Sequence, residues 1–298
     1  MALNRQAIFS GAHLKFNIRD YKLWRAIVAE FVGTFLLVFI GCLSVLPSEA
    51  DDNLDNLVVP GLCFAAIIFT LIHCIGPTSG CNINPVVTFA LVLLGRCHWA
   101  KGLLYLPAQV LGGIAGALLL WGVSPPDWCD AGHMCMTRVN QDINCFQAVI
   151  IETVATGVLV LIVTVISDPD PMKDFEGFPS LAGAMAVLAA VYSAAPFTGA
   201  SLNPARSFGP ALVKMNFENH WVYWVGPTLG AFVAVFTYQL LLEPAIHHED
   251  KSEDTELKLE PTAVFNIERK TPTEDNNMES TVDKPQEERS PVRQRAEA

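Results

Sequence analysis

The sequence predicts an all-α membrane protein with six transmembrane helices and two re-entrant half-helices in an inverted three-plus-three repeat. Three observations predict it. Of 298 residues, 51% are apolar and only 16% charged, and the mean hydropathy is +0.35, too apolar for a soluble domain of this length. Six apolar stretches are long enough to cross a ~30 Å hydrocarbon core. Two copies of Asn-Pro stand in matching surroundings, Ser79-Gly80-Cys81-Asn82-Ile83-Asn84-Pro85-Val86-Val87 and Thr198-Gly199-Ala200-Ser201-Leu202-Asn203-Pro204-Ala205-Arg206, and each opens an apolar run too short to cross.

The six spans are read at residues 23–46, 57–76, 98–123, 145–167, 180–196 and 219–242. The short runs cover 85–94 and 204–213. At ~1.5 Å per residue, about ten residues reach roughly 15 Å, half the core. Asn caps orphan N–H groups and Pro fits the first helical position, so each Asn-Pro starts a helix. Paired short interrupted segments in the two halves of a membrane chain point to a midplane site built from half-helices.

Splitting the chain near Cys135 leaves two halves that each read span, span, half-helix, span. An odd number of crossings per half inverts the second copy relative to the first. Ala29-Glu30-Phe31-Val32-Gly33-Thr34 in the first span is echoed by Ile151-Glu152-Thr153-Val154-Ala155-Thr156 in the fourth.

Charge sets the expected orientation. Arg5, Lys15, Arg19, Lys22 and Arg25 precede or open the first span, and Arg96 and Lys101 flank the third, whereas Glu49, Asp51, Asp52 and Asp55 make the first outer loop acidic. The positive-inside rule then places both termini in the cytoplasm, and the late, full-length first span reads as an anchor, not a cleaved signal. The expected domains are an N-terminal arm (1–22), a membrane domain (23–242) and a disordered acidic tail (243–298), which carries most of the acidic excess. The cluster His247-His248-Glu249-Asp250 falls in that tail and is not expected to hold a metal there. Of eight cysteines, Cys42, Cys63, Cys74, Cys81 and Cys97 read as small buried hydrophobes. Cys129, Cys135 and Cys145 fall in an outer loop, where an oxidising compartment permits a Cys129–Cys135 bridge and leaves one cysteine unpaired.

Six spans with two Asn-Pro half-helices, the second within Asn203-Pro204-Ala205-Arg206-Ser207-Phe208-Gly209-Pro210-Ala211, resemble the aquaporin (major intrinsic protein) family over roughly residues 23–242. The resemblance implies a pore through each subunit, homotetrameric assembly in the lipid bilayer, passage of water and small neutral solutes, and no cofactor or nucleic-acid partner. The first motif departs slightly, reading Asn-Pro-Val where the family has Asn-Pro-Ala. Two half-helix N-termini facing each other make the midplane positive, and the amides of Asn84 and Asn203 offer donors to a passing oxygen. Exclusion of protons and cations by half-helix dipoles or an arginine is an established property of aquaporin-type pores.

Gly76, Pro77, Gly80 and Gly199 are expected to break the helices before each motif, exposing an acceptor ladder of carbonyls. Arg206 at membrane depth is too costly to be idle. By the resemblance, Glu30 and Glu152 hold the re-entrant loops by accepting backbone N–H bonds, with a proton relay as the alternative. Counting back from the motifs without gaps carries the family's narrowest ring onto Phe64, Val191, Ala200 and Arg206, and Ala190 is equally compatible with a wide ring. Water channels have histidine where Val191 stands, so the ring is similar to that of insect glycerol-conducting aquaporins and suits glycerol or urea. Ser207, Ala211, Tyr223 and Trp224 instead match the water-channel pattern.

His73 is expected in the inner vestibule or against a neighbouring helix, and His98 and His220, beside Trp99 and Trp221, as interfacial anchors. Cys81, three residues before Asn84, is a candidate site of mercurial block. No nucleophile elbow, metal-spaced cluster or phosphate loop occurs, so an enzyme is not expected. The expected function is passive conduction of water and small neutral solutes across the plasma membrane. A strict water channel, an ion channel, or an adhesion or signalling scaffold of the same fold are the alternatives.

Overall fold

The computed structural model describes residues 16–46, 57–131, 133–168 and 178–242. Six helices are long and apolar enough to cross a membrane: α1 (Tyr21–Leu43), α2 (Val58–Ser79), α4 (Trp99–Val123), α6 (Cys145–Ile166), α7 (Pro179–Thr198) and α9 (Val222–Thr237), the last extended by a π-helical turn, Tyr238–Leu242. Two short helices, α3 (Pro85–Leu93) and α8 (Pro204–Val213), complete the two repeats. Among the described residues there is no strand. The protein is an integral membrane protein.

Local chemistry starts the helices. The Asp20 carboxylate accepts from the Lys22 N–H at 2.9 Å to cap α1, His98 Nδ1 caps α4, and Asn144 with Gln147 forms a reciprocal capping box on α6. Inside the bilayer, small residues let backbones meet. In α4, a Cβ on Gly112 would strike the Phe31 carbonyl, and one on Gly116 would lie 2.6 Å from the Phe35 carbonyl of α1. The second repeat copies this pair: a Cβ on Gly226 of α9 would sit 2.6 Å from Glu152 Cβ of α6, and one on Gly230 would sit 2.5 Å from the Thr153 carbonyl. α1 therefore packs on α4 as α6 packs on α9, and α2 meets α7.

Several boundaries differ from the sequence reading. α2 runs through Gly76 and Pro77 to Ser79, and α7 through Pro196 to Thr198. A proline removes a single N–H bond, while leaving the helix earlier would strand several backbone groups at membrane depth. The break comes at Gly80 and Gly199, whose φ values of 99° and 77° only glycine adopts freely. The connection between α4 and α6 contains an unexpected short helix, α5 (Pro126–Ala131), and a 3₁₀ turn, His133–Cys135. The acidic first loop, the start of the N-terminal arm with Arg5 and Lys15, and the tail with its His247–Asp250 cluster lie outside the described residues.

Candidate pore at the meeting of two half-helices

Asn84 and Asn203 cap the half-helices in mirror fashion. Asn84 Oδ1 accepts from the Val86 N–H at 2.9 Å, and Asn203 Oδ1 accepts from Ala205 at 3.0 Å and Arg206 at 3.3 Å. Pro85 and Pro204 take the first helical positions. Each amide then reaches across the axis: Asn84 Nδ2 donates to the Leu202 carbonyl and Asn203 Nδ2 to the Ile83 carbonyl, both at 2.8 Å. The two N-termini meet, and one N–H of each amide remains for another acceptor.

The loops leading to these caps are irregular. Cys81 and Ile83 in the first, and Ala200 and Leu202 in the second, have φ of 51°, 43°, 49° and 54°. Such backbone costs about 1–3 kcal/mol per residue and persists only where the surroundings enforce it. Two buried carboxylates supply acceptors there. Glu30 accepts from the N–H groups of Asn82 (2.9 Å) and Ile83 (2.6 Å) and from Gln109 Nε2 (2.7 Å). Glu152 accepts from Ser201 (2.8 Å) and Leu202 (3.0 Å) and from Thr198 Oγ1 (2.6 Å).

Tyr105 and Gln109, which the sequence reading passed over, join this scaffold. The Tyr105 hydroxyl donates to the Ser79 carbonyl at 2.8 Å, and Tyr223 repeats the bond on the Thr198 carbonyl at 3.0 Å. Both are fully buried. The signal available was two polar residues one turn apart on an otherwise apolar span, with tyrosine in matching places in the third and sixth spans.

A cavity of about 310 Å³ runs along this junction. Asn84, Asn203, Arg206 and the irregular stretches at 80–83 and 201–202 line it together with aliphatic side chains, among them Val87, Leu159, Val187 and Val191. Of the four ring candidates, Phe64, Val191 and Arg206 line it; Ala200 is buried but outside the lining. Gly76, Pro77 and Gly199 are likewise outside it, whereas Gly80 lines it. Ala190 lines a separate apolar groove between α6 and α7, with Val154 and Val158.

Arg206 is 6% exposed. Its Nη1 donates to the Cys135 carbonyl at 2.7 Å, its Nη2 contacts Cys135 Sγ at 2.9 Å, and it lies 5.3 Å from the centre of the Phe64 ring. The Cys129–Cys135 bridge is not formed: both thiols are free and buried, and Cys135 is turned toward the guanidinium. Burial works to raise the Cys135 thiol, but its hydrogen bond with Cys42 and the Arg206 charge bring it down to about 7.

Among the histidines, His73 lies 3.5 Å from Ser180 Oγ and packs on Phe69. His98 is the α4 cap. His220 is no surface anchor: it is 8% exposed, enclosed by Phe208, Phe217 and Tyr223, while Trp221 beside it faces outward. Cys81 lines the cavity, so an organomercurial reaching it is expected to block flux. Cys81→Ser should relieve the block in stopped-flow water measurements, and inhibition that persists undiminished in the mutant rules this thiol out.

Fold and site together describe a polytopic membrane channel with a duplicated half-helix core. The family model for major intrinsic protein matches residues 17–238, and the chain belongs to that family. It is 35% identical over 229 residues to the lens fiber major intrinsic protein of Lithobates pipiens, covering 77% of this chain and 85% of the relative. It is 37% identical over 226 residues to aquaporin-4 of Mus musculus, covering 75% and 69%. The solved aquaglyceroporin of Plasmodium falciparum shares the fold at a TM-score of 0.67, with 23% identity, covering 76% of this chain and 99% of that structure.

Proposed function

We propose that the protein is a passive channel for water and small neutral solutes, glycerol and urea among them, that excludes protons and ions. The observation that supports this reading is the mixed composition of the cavity lining: both cap amides and Arg206 together with Val191 and other aliphatic side chains. A solute with a hydroxyl edge and a hydrocarbon edge matches such a lining. Asn84 and Asn203 orient the passing oxygen, Glu30 and Glu152 hold the loops, and Arg206 with the two helix N-termini repels cations. Phe64, Val191, Ala200 and Arg206 form the selective ring, in the manner of the insect glycerol-conducting members.

The same reading takes the channel domain as residues 23–242, both termini as cytoplasmic, the plasma membrane as its site and a homotetramer as its assembly. The basic side chains on the N-terminal side, Arg19, Lys22, Arg25, Arg96 and Lys101, support the orientation.

Vesicle swelling tests the proposal. Proteoliposomes are expected to shrink rapidly in sucrose and to re-swell in glycerol or urea, without a proton leak. Flat osmotic traces from folded protein would favour a scaffold, and water flux without re-swelling a strict water channel. Val191→His is expected to reduce glycerol and urea flux far more than water flux, because it places a polar ring where the hydrocarbon edge passes. Equal losses would show that position 191 does not set the solute range.

A further inference from the structure

A second cavity, of about 330 Å³, lies on the N-terminal side of the molecule, where the start of α1, the end of α2 and the turn before α4 converge. Lys22, Arg96, His98 and Lys101 line it, with Asp20 as its carboxylate. The charges are not equivalent. Arg96 is committed elsewhere: it pairs with Asp168 at 2.9 Å and also donates to Ser167 Oγ and the Thr164 carbonyl. Asp20 accepts from the Lys22 N–H as the α1 cap, and His98 Nδ1 accepts from the Ala100 N–H while its ring stacks on Phe16 at 5.1 Å.

The two lysines are left without a carboxylate among the described residues. Lys22 is exposed, and Lys101 is half-buried with its ammonium 5.0 Å from the centre of the Tyr105 ring. Two long helices, α1 and α4, begin at this cavity and add the partial positive charge of their N-termini. Tyr21, Trp24 and Trp99, each more than half exposed, neighbour its lining residues in sequence and are of the aromatic type enriched at headgroup depth.

We propose that this cavity binds a phosphate group carried by an anionic molecule, with Lys22 and Lys101 as its ligands. The interfacial aromatics and the basic arm favour a phosphorylated lipid headgroup as the source, since clusters of this kind attract anionic lipids of the inner leaflet. Nothing in the conduction path is required for this binding, so it stands or falls separately from the solute range.

The test uses full-length protein in phosphatidylcholine nanodiscs with and without phosphatidylinositol phosphate, with retained lipid counted by native mass spectrometry. Phosphatidylinositol phosphate is expected to be held in preference to phosphatidylcholine. Lys22→Gln and Lys101→Gln should each weaken retention about fivefold, as ~1 kcal/mol per lysine implies, and the arginine variants should restore it. Osmotic water permeability of all variants reports that they are folded. In a second arm, the soluble inositol phosphate headgroup is titrated onto protein in plain phosphatidylcholine: weaker binding assigns a lipid source, and equal affinity a free phosphate. Absence of preference in both arms overturns the site. So does an equal loss in Arg25→Gln, an exposed residue outside the cavity, since that would indicate diffuse attraction alone.

Discussion

Glu30→Ala is expected to destroy the channel, not merely to slow it. Two buried donors, the N–H groups of Asn82 and Ile83, would lose their acceptor, and the Gln109 amide would keep only its bond to Thr88 Oγ1. An orphaned buried donor costs about 1–3 kcal/mol, so losing the acceptor of two costs on the order of 2–6 kcal/mol, a large share of the whole stability of many domains. The left-handed residues Cys81 and Ile83 would also be free to relax, moving Asn84 away from the cavity. Glu152→Ala should act in the same way through Ser201, Leu202 and Thr198. Glu30→Gln keeps the shape but retains a single acceptor oxygen, and should fall between parent and alanine. Thermal unfolding in detergent and water permeability per molecule measure both effects. A Glu30→Ala protein that melts and conducts like the parent would show that the carboxylate does not hold the loop.

Arg206→Val should leave water flux largely intact and open a leak to protons and monovalent cations. A unit charge about 5 Å from the permeation path, at an effective dielectric near 20, contributes about 3 kcal/mol to the barrier, on the order of a hundredfold in cation flux. The half-helix N-termini persist in this variant, so exclusion weakens without vanishing. Arg206→Lys should restore it only in part. An ammonium carries the charge but cannot reproduce the fork that engages the carbonyl and sulfur of Cys135 together. A pH-sensitive dye inside vesicles under an imposed gradient reads the outcome, and an unaltered leak in Arg206→Val would place the barrier entirely on the dipoles.

The parts of this molecule that were legible in the sequence are those fixed by short-range chemistry. Asn-Pro announces a helix start wherever it occurs, and α8 ends at Val213, as its apolar run does. Glu30, Glu152 and Arg206 were visible because an ionisable group in an apolar run needs a partner. Their partners were less visible. Cys135 lies 71 residues from Arg206 and meets it through a carbonyl, which every residue has, and a thiol that the spacing suggested for a disulfide. Helix ends were misjudged at Gly76-Pro77 because a proline was read as a stop, whereas the repeated Pro-Thr-Ser-Gly and Pro-Phe-Thr-Gly place the true stop at the glycine. Ala200 is reached by counting back from Asn203, and its left-handed φ of 49° leaves no mark in such a count.

The crossed amides set a timetable for biogenesis. Asn84 Nδ2 finds its acceptor 118 residues further along the chain, so the first re-entrant loop stays unfinished until the ribosome has delivered its counterpart. At ~5–20 residues per second that delay lasts roughly 6–24 seconds, during which the Asn84 amide of the nascent amino-terminal half lacks its cross-axis acceptor. Each half acts as the template on which the other closes.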